Sequence, residues 1–439
     1  MRKALFTEFI LVVTGFSIVL FASVSDAQER TVTLTIDQAV ELALVENRDL
    51  AAARIRVEEA GGRLTQAGLL PNPALESDFG TDFVFSDEGE RNFSAGIFQP
   101  LPLSGRIGAQ KAAARVDIKR TFANIADLER LLVRDVRNAF ITLLSFNEQL
   151  KLQETLIGLN SELIKGIRAG IKEGLTSERD LNAVAIALQQ ARAEKEVLAA
   201  QRKSVILQLN KLVGKPPTFS FAPEGKLQYE PPEGLTDYSV EKAFSQRPDL
   251  KLAELTIELA RAEIGLAKAL RFEDITAGVS YQYERQVLEI PQGNFPNTDN
   301  LIGFSLTIPL PLFDRKQGLI AEARARERRA EQSAGALKLL IGQEVNDALN
   351  RVTALSALLE SYLSGILKTA QDNVGLVEDG FKQGLVGIVD VIQSRRQFAS
   401  LTSSYIDAVR DYQIALSDLR IAAGAYPTKV NKDKEDKNR

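Results

Sequence analysis

The two halves of the chain repeat one another, so any fold adopted by one half has to be adopted again, beside it, by the other. Ile36-Asp37-Gln38-Ala39-Val40, followed by Asn47-Arg48-Asp49-Leu50, is echoed by Ser239-Val240-Glu241-Lys242-Ala243, followed by Arg247-Pro248-Asp249-Leu250. LPLSGR at 101–106 is answered by LPLFDR at 310–315, and GIKEGLTSERD at 170–180 by GFKQGLVGIVD at 380–390. Three matches in the same order mark a duplication and not a chance likeness between Ala-rich helices. Between the halves, KPPTFSFAPEGKLQYEPPEG at 215–234 is rich in the two residues that punctuate regular structure. The chain is therefore read as a first repeat over 28–214, a linker over 215–235 and a second repeat over 236–426. The charged run 427–439 is expected to be disordered and is given no role.

Each repeat follows one plan: helix, strand, strand, long helix, tight turn, helix. In the first, residues 37–68 carry a helical pattern that Leu70-Pro71-Asn72-Pro73 ends, because proline lacks the N–H and restricts the residue before it. Residues 75–85 then alternate. Leu75, Phe79, Thr81, Phe83 and Phe85 share one face, and Glu76, Asp78, Gly80 and Asp82 the other. Beyond the turn residues Asp87-Glu88-Gly89-Glu90, the apolar series resumes with Phe93, Ala95 and Ile97 against Ser94 and Gly96. The second copy sets Ile275, Ala277, Val279, Tyr281 and Tyr283 against Thr276, Gly278, Ser280, Gln282 and Glu284. A longer loop rich in Pro, Asn and Gly is expected next, and then a strand with Ile302, Phe304, Leu306 and Ile308 on its apolar side. Strands of about ten residues, apolar outside and polar inside, suit the wall of an outer-membrane barrel. A surface hairpin of a β-sandwich is the alternative, but the rest of the chain is helical and offers no second sheet to pack on.

Length adds a further constraint. A helix over about 106–170 would rise about 100 Å, far beyond the need of a globular domain. Its return partner over about 177–213 covers little more than half that distance, and the helix at 37–68 supplies roughly the remainder. The two shorter helices are thus expected to stack end to end beside the long one. The second copy gives the same sum with about 316–381, 387–423 and 239–271. The return helices share a heptad seam: Phe398, Leu401, Tyr405, Ala408, Tyr412, Ala415, Leu419 and Ala422 in one, and Leu188, Ala191, Leu198, Val205, Leu209 and Leu212 in the other. Lys195 and Arg202 interrupt the latter. Four strands cannot close a barrel, and an open edge in lipid costs several kcal/mol per unsatisfied backbone group. Two copies would give about 8 strands, too narrow for a water channel, whereas three give about 12; four copies are not excluded by arithmetic.

The first 27 residues read as a secretory signal: a basic start at Arg2 and Lys3, an apolar run from Phe9 to Phe21, and Ser25-Asp26-Ala27 before the cleavage point. The mature chain has no later apolar stretch of spanning length, so a membrane crossing would have to use β-strands. The absence of Cys and His removes disulfides, thiolate or imidazole metal sites and the Ser/His/Asp or Cys/His nucleophile systems. Asp and Glu are spread along helices with no phosphate-cradling Gly-rich loop nearby. No enzyme activity, cofactor or bound metal is expected. A net charge of -4 and an acidic pI argue against nucleic acid as a partner.

ALVENRDL at 43–50, AGLLPNP at 67–73, LPLSGR and the paired turns GIKEGL and GFKQGL resemble the TolC-like outer-membrane efflux proteins over nearly the whole mature chain. PLSGR and PLPLFDR look most like the cobalt-zinc-cadmium efflux branch, hence heavy-metal resistance. The resemblance implies a mainly α fold with a small β part: long helical hairpins forming a periplasmic α-barrel, plus four strands given to a transmembrane β-barrel shared in a homotrimer. It further implies a channel in the outer membrane, docked on a periplasmic adaptor (membrane fusion) protein and served by an inner-membrane pump of the resistance-nodulation-division type. Gly174, Leu175, Gly384 and Leu385 match the tip positions at which adaptors dock. Asp390 matches an acid that narrows the tunnel mouth in relatives, with Asp180 as its counterpart; Gln393 stands where a second acid can follow. A carboxylate ring would favour cations, although Asp390 could equally be a helix N-terminal acid stabilised by the dipole. Export of small molecules or metal ions, release of polypeptides by a type I secretion system, and a periplasmic coiled-coil spacer without a pore all remain compatible with the sequence.

Overall fold

The computed structural model describes residues 32–82, 89–174, 176–232, 234–291 and 293–425. The signal segment, Phe83, Phe85, Leu175 and the tail after 426 lie outside the described residues. A short strand β1 (Val32–Leu34) leads into α1 (Ile36–Glu46), whose N-terminus is closed by a capping box between Thr35 and Gln38. The expected single helix over 37–68 is in fact two, because Asn47 leaves the helical region at ψ 124° and caps α2 (Arg48–Ala67) by accepting from the Leu50 N–H. The second copy breaks at the matching place, between α5 (Val240–Gln246) and α6 (Pro248–Ala269). There the cause is Pro248, which holds Arg247 extended at ψ 125°.

The strands β2 (Ala74–Thr81), β3 (Arg91–Leu101), β5 (Ile275–Ile290) and β6 (Gly293–Thr307) form an antiparallel sheet in the order β2-β3-β5-β6. The long loop expected in the second hairpin is absent. Pairing instead runs on to Ile290 opposite Gly293, so that 285–301 is mostly strand. Pro296 is tolerated because β6 is an edge strand, paired with β5 on one side and with no strand among the described residues on the other to receive an N–H.

Helix α3 (Arg106–Lys172) runs unbroken for 67 residues, about 100 Å, and α4 (Glu178–Leu212) returns along it. After β4 (Phe221–Pro223), which pairs in parallel with β1, the chain crosses to the second repeat. There α7 (Gln317–Ser361) passes through a π turn at Tyr362–Ile366 into α8 (Leu367–Lys382), and α9 (Ile388–Ala422) returns. A helix expected to be uninterrupted over 316–381 thus carries one extra residue in its ladder, beside which Tyr362 packs edge-on to Tyr405 of α9. Among the described residues no helix is long and apolar enough to cross a membrane.

The segment between the repeats is packed, not loose. Leu227, Tyr229, Leu235 and Tyr238 lie on a core of Val352, Leu359, Val409, Tyr412 and Leu419. Burial pushes the Tyr412 hydroxyl up to about 12, so it stays a donor, to the Glu230 carbonyl at 2.8 Å. The expected seam of α9 is largely realised, with Ala408, Tyr412, Ala415, Leu419 and Ala422 all buried. In α4 the two interruptions have polar partners on α3: Lys195 meets Glu154 at 2.9 Å and Arg202 donates to Asn147 at 2.7 Å.

Candidate functional site

Two regions of the fold present functional surfaces, the membrane-type sheet and the far tips of the helical hairpins. In the sheet, register puts Leu75, Ile97, Val279 and Phe304 in one row across all four strands, with Ser77, Ala95, Tyr281 and Ile302 in the next on the same face. These apolar side chains point away from the chain: Phe304 is 82% exposed and Leu75 76%. The opposite face carries Glu76, Gly96, Ser280 and Gly303, then Asp78, Ser94, Gln282 and Leu301, then Gly80, Asn92, Glu284 and Asp299. The predicted polar alternation is therefore present in these three rows apart from Leu301, and in the adjoining row of Ala74, Gly278 and Ser305 the bulky Phe98 also departs from it. Both edges, β2 and β6, lack a partner strand within the described chain. Where sheet meets helix, Arg106 grips Asp274 through two bonds of 2.8 and 2.5 Å, a fork that holds the Asp274 carboxyl below its usual range. The matching Arg315 of the second motif instead donates to the Leu312 carbonyl.

At the tips, α3 and α8 end in the same way. Gly174 and Gly384 adopt left-handed φ of 73° and 74°, where a β-carbon would be strained, and each donates its N–H back to the helix, to Ile171 and Phe381. Leu385 completes the second cap through its N–H to the Gly380 carbonyl at 2.8 Å and leaves its side chain 74% exposed. Beneath, Ile167 and Val184 of the first repeat pack with Ile388 and Val391 of the second, so the two tips share one small core.

That core fixes the two candidate acids. Asp180 forms a full capping box with Ser177: the Ser177 Oγ–H donates to its carboxylate at 2.7 Å, and the Asp180 N–H donates to Ser177 Oγ at 3.3 Å. These bonds from Ser177, first its hydroxyl and then its backbone N–H, hold Asp180 below the ordinary carboxylate range. Asp390 occupies the same position in α9 and accepts the Gly387 N–H at 2.9 Å, with no side chain on Gly387 to return the bond. Its carboxylate is exposed. Within one chain both acids are thus helix-terminal acceptors placed at the tip.

Two neighbouring arginines escaped the sequence analysis. Arg395 of α9 donates to Glu378 of α8 at 2.7 Å and to the Leu159 carbonyl of α3 at 3.2 Å, and Arg396 donates to Gln190 of α4 at 2.9 Å. They tie the two hairpins together above the tip. An adjacent basic pair on a heptad-patterned helix was the available signal, but Glu378 lies 17 positions away across the tip turn, and Leu159 and Gln190 lie more than 200 away in sequence. No grouping of Asp and Glu among the described residues could hold a metal ion.

The sequence matches the family described as outer membrane efflux protein over residues 39–215 and again over 240–425. It is 22% identical over 392 residues to the cobalt-zinc-cadmium resistance protein CzcC of Cupriavidus metallidurans, spanning 88% of this chain and 90% of that protein. To the cation efflux system protein CusC of Escherichia coli it is 25% identical over 410 residues, spanning 87% and 84%. A crystal structure of CusC superposes with a TM-score of 0.73 at 20% identity, covering 89% of this chain and 92% of that one. The Campylobacter jejuni CmeC outer membrane channel gives 0.73 at 13% identity, covering 92% and 88%. Two open sheet edges, an outward apolar face, a helical stalk of about 100 Å and a match in each repeat converge, and the chain belongs to the outer membrane efflux protein family.

Proposed function

We propose that the chain is one third of a homotrimeric duct that passively conducts small molecules or metal ions out through the periplasm and outer membrane. The observation that carries this is the sheet. Its apolar row Leu75–Ile97–Val279–Phe304 suits lipid, and its two open edges need neighbouring strands. Three chains give a closed barrel of about 12 strands, wide enough for water, above a tunnel of laterally packed helices.

In this assembly the tips bearing Gly174, Leu175, Gly384 and Leu385 reach into the periplasm and meet an adaptor protein, which links the duct to an inner-membrane pump of the resistance-nodulation-division type. Three copies of Asp390, flanked by Asp180, ring the mouth and favour cations. The names of CzcC and CusC point to metal cations as cargo. With no His or Cys, and Met only at position 1, the chain lacks soft ligands to select among them, so selection belongs to the pump. Purified protein inserted in a planar bilayer should give discrete conductance steps. Absence of steps from a verified trimer would overturn the conduit, and tight zinc or copper binding by calorimetry would overturn the non-selecting role.

A further inference from the structure

On the polar face of the sheet, one aromatic side chain lies among very small neighbours. Ala74, Phe98, Gly278 and Ser305 are in register across the four strands, and the adjacent row is Glu76, Gly96, Ser280 and Gly303. Strand side chains ordinarily stand roughly perpendicular to their sheet. Phe98 does not. A β-carbon built on Gly96 would come within 2.9 Å of Phe98 Cε2, and one built on Gly278 would overlap Cδ1, so the ring lies flat across both positions. Both glycines are buried, whereas Phe98 above them is half-buried. Glycine within a strand weakens it and marks a close approach; here the approaching group is the Phe98 ring.

We infer that Gly96 and Gly278 hold Phe98 flat against the barrel wall, and that the posture of this ring sets the bore where the barrel meets the tunnel. The inference rests on the trimeric-conduit reading. The row lies one step inside the level of Pro100, Thr276 and Thr307, close to where the strands give way to helices. Three chains would place three rings at that height, in a wall otherwise made of Ala, Gly and Ser. Side chains added beneath the ring have little room, because Ser305 Oγ is also only 2.6 Å from a β-carbon on Gly278. The open direction for relief is rotation of the ring into the lumen.

Single-channel conductance of purified trimers tests this with Gly278→Ala, Gly278→Val, Phe98→Ala and the double variant Gly278→Val/Phe98→Ala. Conductance should fall in Gly278→Ala and further in Gly278→Val, return to at least the wild-type level in the double variant, and not fall in Phe98→Ala. Wild-type conductance in both glycine variants, or a loss that Phe98→Ala fails to relieve, would overturn the inference. Should the valine variant not assemble, Gly278→Ala with and without Phe98→Ala supplies the same comparison. Failure of the wild type itself to conduct would instead overturn the conduit reading.

Discussion

The side-chain amide of Asn47 donates to the main-chain carbonyl of Leu212 at 2.9 Å, fastening the break between α1 and α2 to the last residue of α4. Arg247, at the equivalent break, donates Nη1 to the Ala422 carbonyl at 3.3 Å, on the last residue of α9. These contacts join the shorter helices end to end beside each long one, so that the two-helix width persists over the full length. Different chemistry, amide in one copy and guanidinium in the other, performs one joining task.

Asn47 is buried and serves two helices at once, so Asn47→Ala removes an N-cap and leaves the Leu212 carbonyl without its donor. A loss of about 1–2 kcal/mol is expected. It should appear as a lower thermal midpoint of the detergent-solubilised protein, while Asn47→Asp, which keeps the cap but not the donor, falls between.

Arg247 is held more elaborately. Its guanidinium forks onto Asp249 at 3.0 and 2.6 Å and reaches Glu344 at 2.5 Å, with its side chain only 2% exposed. Burial opposes ionisation of Asp249, but the bonds and charge of Arg247, with Arg130 nearby, outweigh it and hold that carboxyl below its usual value. Arg247→Met should cost about 3 kcal/mol, chiefly by leaving the mostly buried Asp249 carboxylate with only the longer contact to Arg130, since Glu344 is half-exposed and stays solvated. Arg247→Lys should recover only part, since an ammonium cannot fork. Because the folded Asp249 pKa is depressed, its contribution is fully present above about pH 4 and is lost as pH falls through the folded value. Acid titration of the thermal midpoint should show this decline in wild type and a weaker one in Arg247→Met.

How far the sequence revealed this architecture varies by element. Alternation over 75–82 and 275–284 disclosed both faces of the sheet, because period-two patterning is set by which face meets a different solvent. The breaks at Asn47 and Arg247 were missed, since the apolar pattern continues across them and only the cap chemistry interrupts the helix. Val287, Leu288 and Phe295 extend β5 and β6 through a stretch whose Pro, Asn and Gly read as loop; strand pairing overrode local propensity there. The tip turns were legible from Gly174 and Gly384 alone. Arg395 and Arg396 were not, because their partners come from other helices and no local spacing encodes them.

Leu385, exposed in the turn after α8, allows the proposed docking role to be tested apart from conduction. Leu385→Asp alters no buried contact, and its backbone N–H, which completes the cap, is unchanged. Bilayer conductance should therefore match wild type, whereas efflux-dependent resistance of cells carrying the variant should drop to the level of cells lacking the duct. Unaltered resistance would place adaptor contact elsewhere. Gly384→Ala gives a different signature: a left-handed φ of 74° costs about 1 kcal/mol with a β-carbon, so stability falls slightly before any docking effect is seen.

Asp390 can be probed without disturbing its cap. Asp390→Asn keeps an oxygen acceptor for the Gly387 N–H and removes only the charge, whereas Asp390→Ala removes both. If three such carboxylates ring the mouth, the reversal potential across a salt gradient should shift toward zero equally in both variants, and only the alanine variant should also lose about 0.5–1 kcal/mol of helix stability. Asp180→Asn supplies the companion measurement. Its carboxylate is held in the charged form by Ser177, so in wild type its share of cation preference should survive to lower pH than that of an ordinary carboxylate, being present above about pH 4 and lost as pH falls through its depressed folded value. A selectivity unchanged in both asparagine variants would leave these two acids with helix capping as their whole role and would move the aperture to another level of the tunnel.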